Sequence, residues 1–247
     1  MKRKIKVIIP IPMDAAGVAN RASQLPDTLV MPGYQVDFEA VKAGAALGDS
    51  YYDMLLMDMS VVEAGLRSQE EGYAAVCIDT VSDSGLSALR SRLQIPVIAP
   101  GAVSFHMACL LGHRFSIITM WDEWFPLYKK TLTEYQLWPR LASMRSIKTR
   151  PDLAELLAGK EEVVFARLLE QAQKAIDEDG ADVIVLGSTT MHQSHAYLSE
   201  QLTVPVINPG QVSYKLCEMV LELGLSHSKK AYPSPEVPRD DVFHAIG

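Results

Sequence analysis

The stretch VIVLGSTTM (183–191) places four apolar residues directly before Gly187 and three hydroxyl-bearing side chains, Ser188, Thr189 and Thr190. A short run of Val, Ile and Leu that ends in a glycine and polar residues is typical of a buried parallel strand followed by a turn. In an open α/β sheet, ligands bind at the carboxyl ends of the strands. These hydroxyls are therefore candidates either to cap the next helix or to hold a substrate.

The same pattern occurs earlier in the chain, which indicates an internal duplication. Ser188 lies 108 positions after Thr80, and the Pro-Gly turn at Pro209 lies 109 positions after the one at Pro100. A single inserted residue explains the difference, and self-similarity at one such spacing indicates a duplicated half-domain. The two copies are GYAAVCIDTVSD (72–83) with IPVIAPGAVSF (95–105), and GADVIVLGSTTM (180–191) with VPVINPGQVSY (204–214).

Strand patterns alternate with helical patterns in both copies, and this alternation predicts parallel sheets with right-handed crossovers. We therefore predict an α/β fold of two similar Rossmann-like half-domains, related by a pseudo-twofold duplication, with a cleft between them. The first half is predicted to comprise residues 1–100 and, as a C-terminal return, 208–247. The second half is predicted to comprise residues 101–207. Thr80 and Ser188 are then expected to face each other across the cleft.

Composition and charge exclude several classes of function. Of the 247 residues, 48% are hydrophobic and 21% charged, as in ordinary globular proteins. The net charge of −7 argues against a broad nucleic-acid surface. No stretch reaches the roughly 18 apolar residues of a membrane span, and the basic N-terminus precedes a short strand rather than a long apolar segment. We expect a cytoplasmic protein with neither a nucleic-acid nor a membrane partner.

The sequence carries no sign of a metal site or a cofactor. The three cysteines, Cys77, Cys109 and Cys217, form no CxxC pair and lie in apolar stretches, where small buried side chains are the ordinary interpretation. No P-loop and no dinucleotide-binding glycine motif is present. We therefore expect no disulfide framework, no metal and no cofactor.

Several stretches together resemble the aspartate/glutamate/hydantoin racemase superfamily, and most closely its hydantoin and allantoin racemase branch. The resemblance covers most of residues 4–224 and implies the two-halved α/β fold. The stretches that carry it are SYYDM (50–54), GYAAVCIDTVSDSGL (72–86), FHMACLLGHRFSIIT (105–119), GADVIVLGSTTM (180–191) and VPVINPG (204–210).

The resemblance also implies a departure from the family's chemistry. Racemases of this superfamily use two cysteines, one in each half, as acid and base on opposite faces of a carbon acid. The matching positions here are Thr80 and Ser188, while Cys77 lies three residues before Thr80. The opening strand also reads PIP (10–12) where that branch carries an Asn-bearing turn. The chain is therefore not expected to be a two-cysteine racemase.

A hydroxyl acts as a base or nucleophile only with a partner. The candidate partners are Asp79, which precedes Thr80, and His192, which should lie one turn into the helix after Ser188. Asp83 is a third candidate, although Ser82 or Asp83 could instead cap the following helix. Thr80, Ser188, Asp79 and His192 are our predicted catalytic residues.

The start of a helix attracts anions, so two helix starts that face one cleft would cradle a small polar or anionic ligand. Aromatic side chains near the strand ends would favour a ring in that ligand. The predicted substrate-binding residues are Pro10, Tyr52, Val81, Ser82, Met120, Trp121, Thr189 and Thr190.

Three functions remain open from the sequence. The leading one is a cofactor-independent isomerase or lyase, racemase-like or decarboxylase-like, that acts on a small carboxylate or cyclic imide. Its enolate-like intermediate would be held between two helix N-termini. The second is a hydrolase of a small cyclic amide or ester with Ser188 as nucleophile, although the string GST lacks the usual Gly-x-Ser-x-Gly elbow. The third is a non-catalytic small-molecule binding protein. We also expect a homo-oligomer.

Overall fold

The computed structural model describes residues 2–151 and 162–244. The chain forms two compact units. Unit 1 comprises Met1–Ala99 together with Ser213–Gly247, and unit 2 comprises Pro100–Val212. Unit 1 is therefore discontinuous in sequence. No helix of the described residues is both long and apolar enough to cross a membrane.

Unit 1 is built on a four-stranded sheet in the order β2-β1-β3-β4, in which all neighbouring strands are parallel. Its strands are β1 (Arg3–Ile9), β2 (Tyr34–Ala40), β3 (Ala75–Ile78) and β4 (Val97–Ile98). The helices between them are α1 (Ala15–Ser23), α2 (Tyr51–Gly65) and α3 (Leu86–Arg92), with a 3-10 turn at Asp27–Leu29. All four residues of β3 are buried, as expected for a central parallel strand.

Unit 2 has a second four-stranded parallel sheet, in the order β6-β5-β7-β8. Its strands are β5 (Phe115–Thr119), β6 (Leu141–Ser146), β7 (Val183–Leu186) and β8 (Val206–Ile207). Its helices are α4 (Pro100–Leu111), α5 (Phe125–Glu134), α6 (Glu162–Asp177) and α7 (His192–Gln201). Among the described residues, 3-10 turns lie at Asp122–Trp124, Trp138–Arg140 and Thr189–Met191. The helical periodicity of the sequence at 151–180 predicts a helix there, and residues 152–161 of that stretch lie outside the described residues.

The two sheets share one topology, because each places its first strand between the second and the third. This confirms the prediction of two similar parallel α/β halves. In each unit, apolar side chains of the sheet and its helices form one core. In unit 1 the core includes Ile8, Val61, Ile78, Leu89 and Val97, and in unit 2 it includes Ile118, Leu168, Ile184, Leu186 and Leu198.

Helix α8 (Pro209–Glu222) begins in unit 2 and ends in unit 1. It ends at Glu222, two residues before Gly224. The Pro-rich segment that follows is bonded to α3: Arg90 Nη1 donates to the Tyr232 hydroxyl at 3.0 Å, and Arg92 Nη2 donates to Asp240 Oδ2 at 2.6 Å. A last short helix, α9 (Asp241–His244), follows. These contacts make residues after 222 part of unit 1.

Candidate functional site

A chain of three hydroxyls follows β3. Thr80 Oγ1 hydrogen-bonds Ser82 Oγ at 2.9 Å, and Ser82 Oγ hydrogen-bonds Ser84 Oγ at 2.7 Å. All three side chains are buried. Because each hydroxyl both donates and accepts, such a chain polarises its members and strengthens the hydrogen bond that the terminal hydroxyl makes. The loop therefore presents Thr80 at the end of a hydrogen-bonded series.

The backbone of this loop differs from the predicted helix cap. The N-cap residue of α3 is Gly85, in a left-handed conformation with φ +69° and without a side-chain cap bond. Its N–H donates instead to Asp58 Oδ1 of α2 at 2.8 Å. Asp83 is also left-handed, with φ +53°. The N-cap position of α3 is therefore occupied by Gly85 and not by Ser82 or Asp83, the two residues that the sequence offered as alternative caps.

Asp79, predicted as a partner for Thr80, forms an ion pair with Arg21 of α1. Arg21 Nη2 and Nε both donate to Asp79 Oδ2, at 2.6 and 3.1 Å. The two side chains are only 5% and 6% exposed. Removing one charge of a buried pair leaves the other charge buried without compensation, so Arg21 and Asp79 depend on each other. Arg21 was not among the residues predicted from the sequence, although its spacing of four from Gly17 places it on the buried face of α1.

The second loop begins with Ser188 and runs through the 3-10 turn Thr189–Met191. Ser188 Oγ accepts from the Thr190 backbone N–H at 3.2 Å and hydrogen-bonds the Thr190 hydroxyl at 2.8 Å. Ser188 is half-buried and Thr189 is buried. His192 is the first residue of α7 rather than a residue one turn inside it, because the 3-10 turn intervenes.

A buried tyrosine fixes the start of this second loop. The Tyr128 hydroxyl donates to the carbonyl oxygen of Gly187 at 2.7 Å. Since its one proton is used there, the Thr119 hydroxyl donates to Tyr128 in their 2.8 Å contact. A Cβ on Gly187 would lie 2.6 Å from the Tyr128 hydroxyl and 2.7 Å from Thr119 Cβ, so only glycine fits. Burial raises the pKa of Tyr128, which keeps it a neutral donor.

Comparison with known proteins identifies the family. The family model described as "Asp/Glu/Hydantoin racemase" matches residues 19–217. The chain belongs to the Asp/Glu/hydantoin racemase family. It is similar to the hydantoin racemase of Pseudomonas sp. (strain NS671), with 31% identity over 79% of this chain and 78% of that protein. The hydantoin racemase of Paenarthrobacter aurescens is 26% identical over 94% of this chain and 98% of its own length.

A solved structure agrees with these sequence matches. The allantoin racemase from Klebsiella pneumoniae superposes with a TM-score of 0.86 and 28% identity, over 96% of this chain and 95% of that one. The match extends over both units, so the racemase-family fold accounts for the whole duplicated architecture. The resemblance inferred from the sequence motifs is therefore confirmed at the level of the family.

The other predicted substrate-binding residues of this racemase-family chain differ in how far their side chains are buried. Pro10, Val81 and Met120 are buried, and Trp121 is half-buried after β5. Tyr52, on the first turn of α2, is 71% exposed. A side chain this exposed is not enclosed by its neighbours. Local packing therefore gives no support to the predicted role of Tyr52 in a substrate wall, and that role stays a prediction.

None of the three cysteines lies within the two hydroxyl loops, residues 79–85 and 187–192. Cys77 is buried within β3, with its Sγ 3.6 Å from Ser213 Oγ of α8. Burial raises the pKa of the Cys217 thiol well above its usual range, and the neighbouring Cys77 raises it further. A thiol that resists ionisation is a poor base and nucleophile. Within residues 2–151 and 162–244, no group of three or more His, Cys, Asp or Glu side chains is placed to hold a metal ion.

Proposed function

We propose that this chain is a cofactor-independent isomerase or lyase that converts a small carboxylate or cyclic imide through an enolate-like intermediate. The observation that carries the proposal is the equivalent placement of two hydroxyl pairs. Thr80 with Ser82 follows β3, and Ser188 with Thr190 follows β7, each at the carboxyl end of the third strand of its sheet. Ligands of open α/β sheets bind at such strand ends.

In this proposal the two loops bind substrate oxygens. Removing a proton from a carbon next to a carbonyl places negative charge on the carbonyl oxygen, and positioned O–H and N–H donors stabilise that charge. Thr80 donates from a hydroxyl chain that is already polarised by Ser82 and Ser84. Ser188, held by the backbone of Thr190, plays the corresponding part in unit 2.

We assign the proton transfer to His192 rather than to Asp79. Its imidazole is half-buried at the first position of α7, four residues after Ser188. An imidazole titrates near neutral pH and suits general acid–base chemistry. The C–H bond breaks, the proton goes to the imidazole, and the electron pair moves into the carbonyl group. Asp79 forms the buried ion pair with Arg21, and its role is to hold the Thr80 loop in place.

The proposal also places Thr80 and Ser188 where relatives that use two thiols carry cysteines. The names of the similar proteins, hydantoin racemase and allantoin racemase, make cyclic ureides and related imides the first substrates to test. Neither loop, residues 79–85 and 187–192, contains a cysteine, and this supports a mechanism that does not use two thiols.

The test is proton NMR in D₂O with the purified protein and a panel of 5-substituted hydantoins, allantoin, aryl malonates and short amino or hydroxy acids. We expect loss of the signal at the acidic carbon, or a new product, for at least one compound. Ser188→Ala and Thr80→Val should each slow that reaction about 100- to 1000-fold, as expected when an oxyanion donor is removed. Ser199→Ala, which removes an exposed hydroxyl on α7, is the matched control.

The other outcomes discriminate against the proposal. Ring opening without carbon-acid exchange, abolished by Ser188→Ala, would show a Ser-dependent hydrolase. A rise in melting temperature with one compound and no reaction with any would show a binding protein. A reaction that is unchanged in both hydroxyl variants would remove the assigned roles of Thr80 and Ser188.

A further inference from the structure

Asn208 is a buried polar residue that neither the sequence motifs nor the proposed proton transfer explains. It lies between the end of β8 and Pro209, the first residue of α8, and is 3% exposed. Its Oδ1 accepts from the backbone N–H groups of Gly210 at 3.1 Å and Gln211 at 3.3 Å. The carbonyl half of the side chain therefore caps the 14-residue helix α8.

These two bonds fix the orientation of the carboxamide. Exchanging Oδ1 and Nδ2 would point the NH₂ group at two N–H donors, so the amide cannot flip. Nδ2 of Asn208 is left buried, and among the residues that the structure describes no acceptor lies within hydrogen-bonding distance of it. Nearly all buried donors in proteins are paired, and an unpaired one destabilises the fold. An acceptor from outside the described chain would complete this group.

The position of Asn208 relates it to the second hydroxyl loop. Strands β7 and β8 are parallel neighbours, with Val185 opposite Ile207, so Asn208 leaves the sheet at the same edge as Gly187 and Ser188. A Cβ built on Gly210 would lie 3.6 Å from Asn208 Oδ1 and 3.9 Å from the side chain of Thr189. Asn208 and Thr189 therefore border the same small space beside Gly210.

Unit 1 has no equivalent donor. The residue 109 positions before Asn208, in the corresponding VIAPG stretch, is Ala99, which is fully buried. The duplicated halves thus differ at the strand end before their Pro-Gly turns: one has a methyl group and the other a fixed amide donor. Only unit 2 would bind an additional ligand oxygen there.

We propose that Nδ2 of Asn208 is a substrate-binding donor that takes a carbonyl or carboxylate oxygen of the small ligand at the strand ends of unit 2. This rests on the proposed function only in that the Ser188 loop binds the same ligand. The chemistry required of the ligand is an oxygen acceptor placed to reach both a serine hydroxyl and an amide N–H. A hydantoin ring, with two carbonyl groups, and a malonate, with two carboxylates, both meet this requirement.

Two variants separate this role from helix capping. Asn208→Ser keeps a side-chain oxygen for the α8 cap and removes the NH₂ donor without adding charge. Asn208→Asp also keeps the cap but places a carboxylate where the NH₂ group was. Gln201→Glu, an exposed change on α7 with the same charge difference as Asn208→Asp, is the matched control.

The measurements are calorimetric binding of a 5-substituted hydantoin and an aryl malonate, together with the melting temperature of the free protein. We expect Asn208→Ser to weaken both ligands about tenfold, the effect of one lost hydrogen bond, with a melting temperature within a few degrees of wild type. Asn208→Asp should weaken the malonate more than the neutral hydantoin, because like charges repel.

Wild-type affinity in both Asn208 variants would overturn the proposal. If the wild-type protein binds a ligand but shows no carbon-acid exchange, the proposed function fails while the affinity comparison still decides the role of Asn208. If exchange occurs and Asn208→Ser leaves KM and affinity unchanged, the role of Asn208 fails alone. If no compound of the panel binds to the wild-type protein, both the proposed function and the role of Asn208 are contradicted.

Discussion

The loop after β3 in unit 1 and the loop after β7 in unit 2 are held by different chemistry at equivalent places. Asp79 and Gly187, 108 positions apart, each precede a loop hydroxyl. Asp79 is held by Arg21 of α1, and Gly187 by Tyr128 of α5. Both helices follow the first strand of their sheet, and each holding residue lies 58 or 59 positions before its partner.

In both units the residue before the loop hydroxyl is held in place, but by a different kind of interaction in each. Unit 1 uses a buried ion pair, whose partners must both be present because an isolated buried charge is costly. Unit 2 uses a neutral hydrogen bond and close packing against a glycine. The two halves should therefore respond differently to the loss of a single side chain.

The largest effect is expected from breaking the ion pair in unit 1. Arg21→Met leaves Asp79 buried without its partner and should reduce the free energy of unfolding by about 3–5 kcal/mol. Urea denaturation followed by circular dichroism measures this change. The double variant Arg21→Met/Asp79→Leu should recover most of the loss, and a single variant as stable as wild type would contradict a closed ion pair.

A smaller loss is expected from adding a methyl group in unit 2. Gly187→Ala brings a Cβ within 2.7 Å of both Tyr128 and Thr119, and overpacking of this kind costs about 1–3 kcal/mol. The same denaturation measurement applies. Gly210→Ala is the control, because its nearest contact would be an ordinary 3.6 Å. Equal losses in the two variants would show that the space around Gly187 can relax.

Removing only the hydroxyl of Tyr128 should cost about 1–2 kcal/mol. Tyr128→Phe leaves the Gly187 carbonyl and the Thr119 hydroxyl without their partner in a buried site. Tyr51→Phe, at a position that is 79% exposed, is the matched control. If Tyr128→Phe reduces turnover in the NMR assay without changing KM, the tyrosine positions the Ser188 loop. An equal change in stability for both variants would argue against a buried hydrogen bond.

The smallest predicted effect is a change of stability with pH, which we assign to His227 of unit 1. Burial lowers the pKa of His227 below its usual value of about 6.5, and the charges of Lys229 and Arg90 lower it further. The unfolded chain then binds a proton more readily than the folded one. His227 therefore contributes stability that is present above about pH 6.5 and is lost as the pH falls towards its folded pKa.

His227→Gln keeps a side-chain N–H for the Leu93 carbonyl, which His227 Nε2 contacts at 3.0 Å, and removes the titration. We expect the melting temperature of the wild-type protein to fall more steeply than that of the variant as the pH is lowered from about 7 to about 5. Parallel curves for the two proteins would show that His227 is not responsible.

The sequence predicts those parts of the molecule that depend on local pattern. The alternation of apolar strands and helices, repeated at a spacing of 108, is enough to predict two parallel sheets, and the change from an apolar run to hydroxyl-bearing residues locates both loops. Arg21 and Tyr128 were missed because their partners lie 58 and 59 positions away, and long-range side-chain pairing leaves no local signal. From the sequence alone Asp79 is a possible base. Its role in an ion pair is visible only from its contact with Arg21.

The discontinuity of unit 1 has a consequence for biosynthesis. A ribosome completes all of Pro100–Val212 before it reaches Ser213, whereas unit 1 still lacks the end of α8 and the segment that bonds α3. Domains usually fold in the order in which they are made. Here we expect the opposite order of completion: unit 1 starts first, but its residues from Ser213 onward are translated only after all of unit 2.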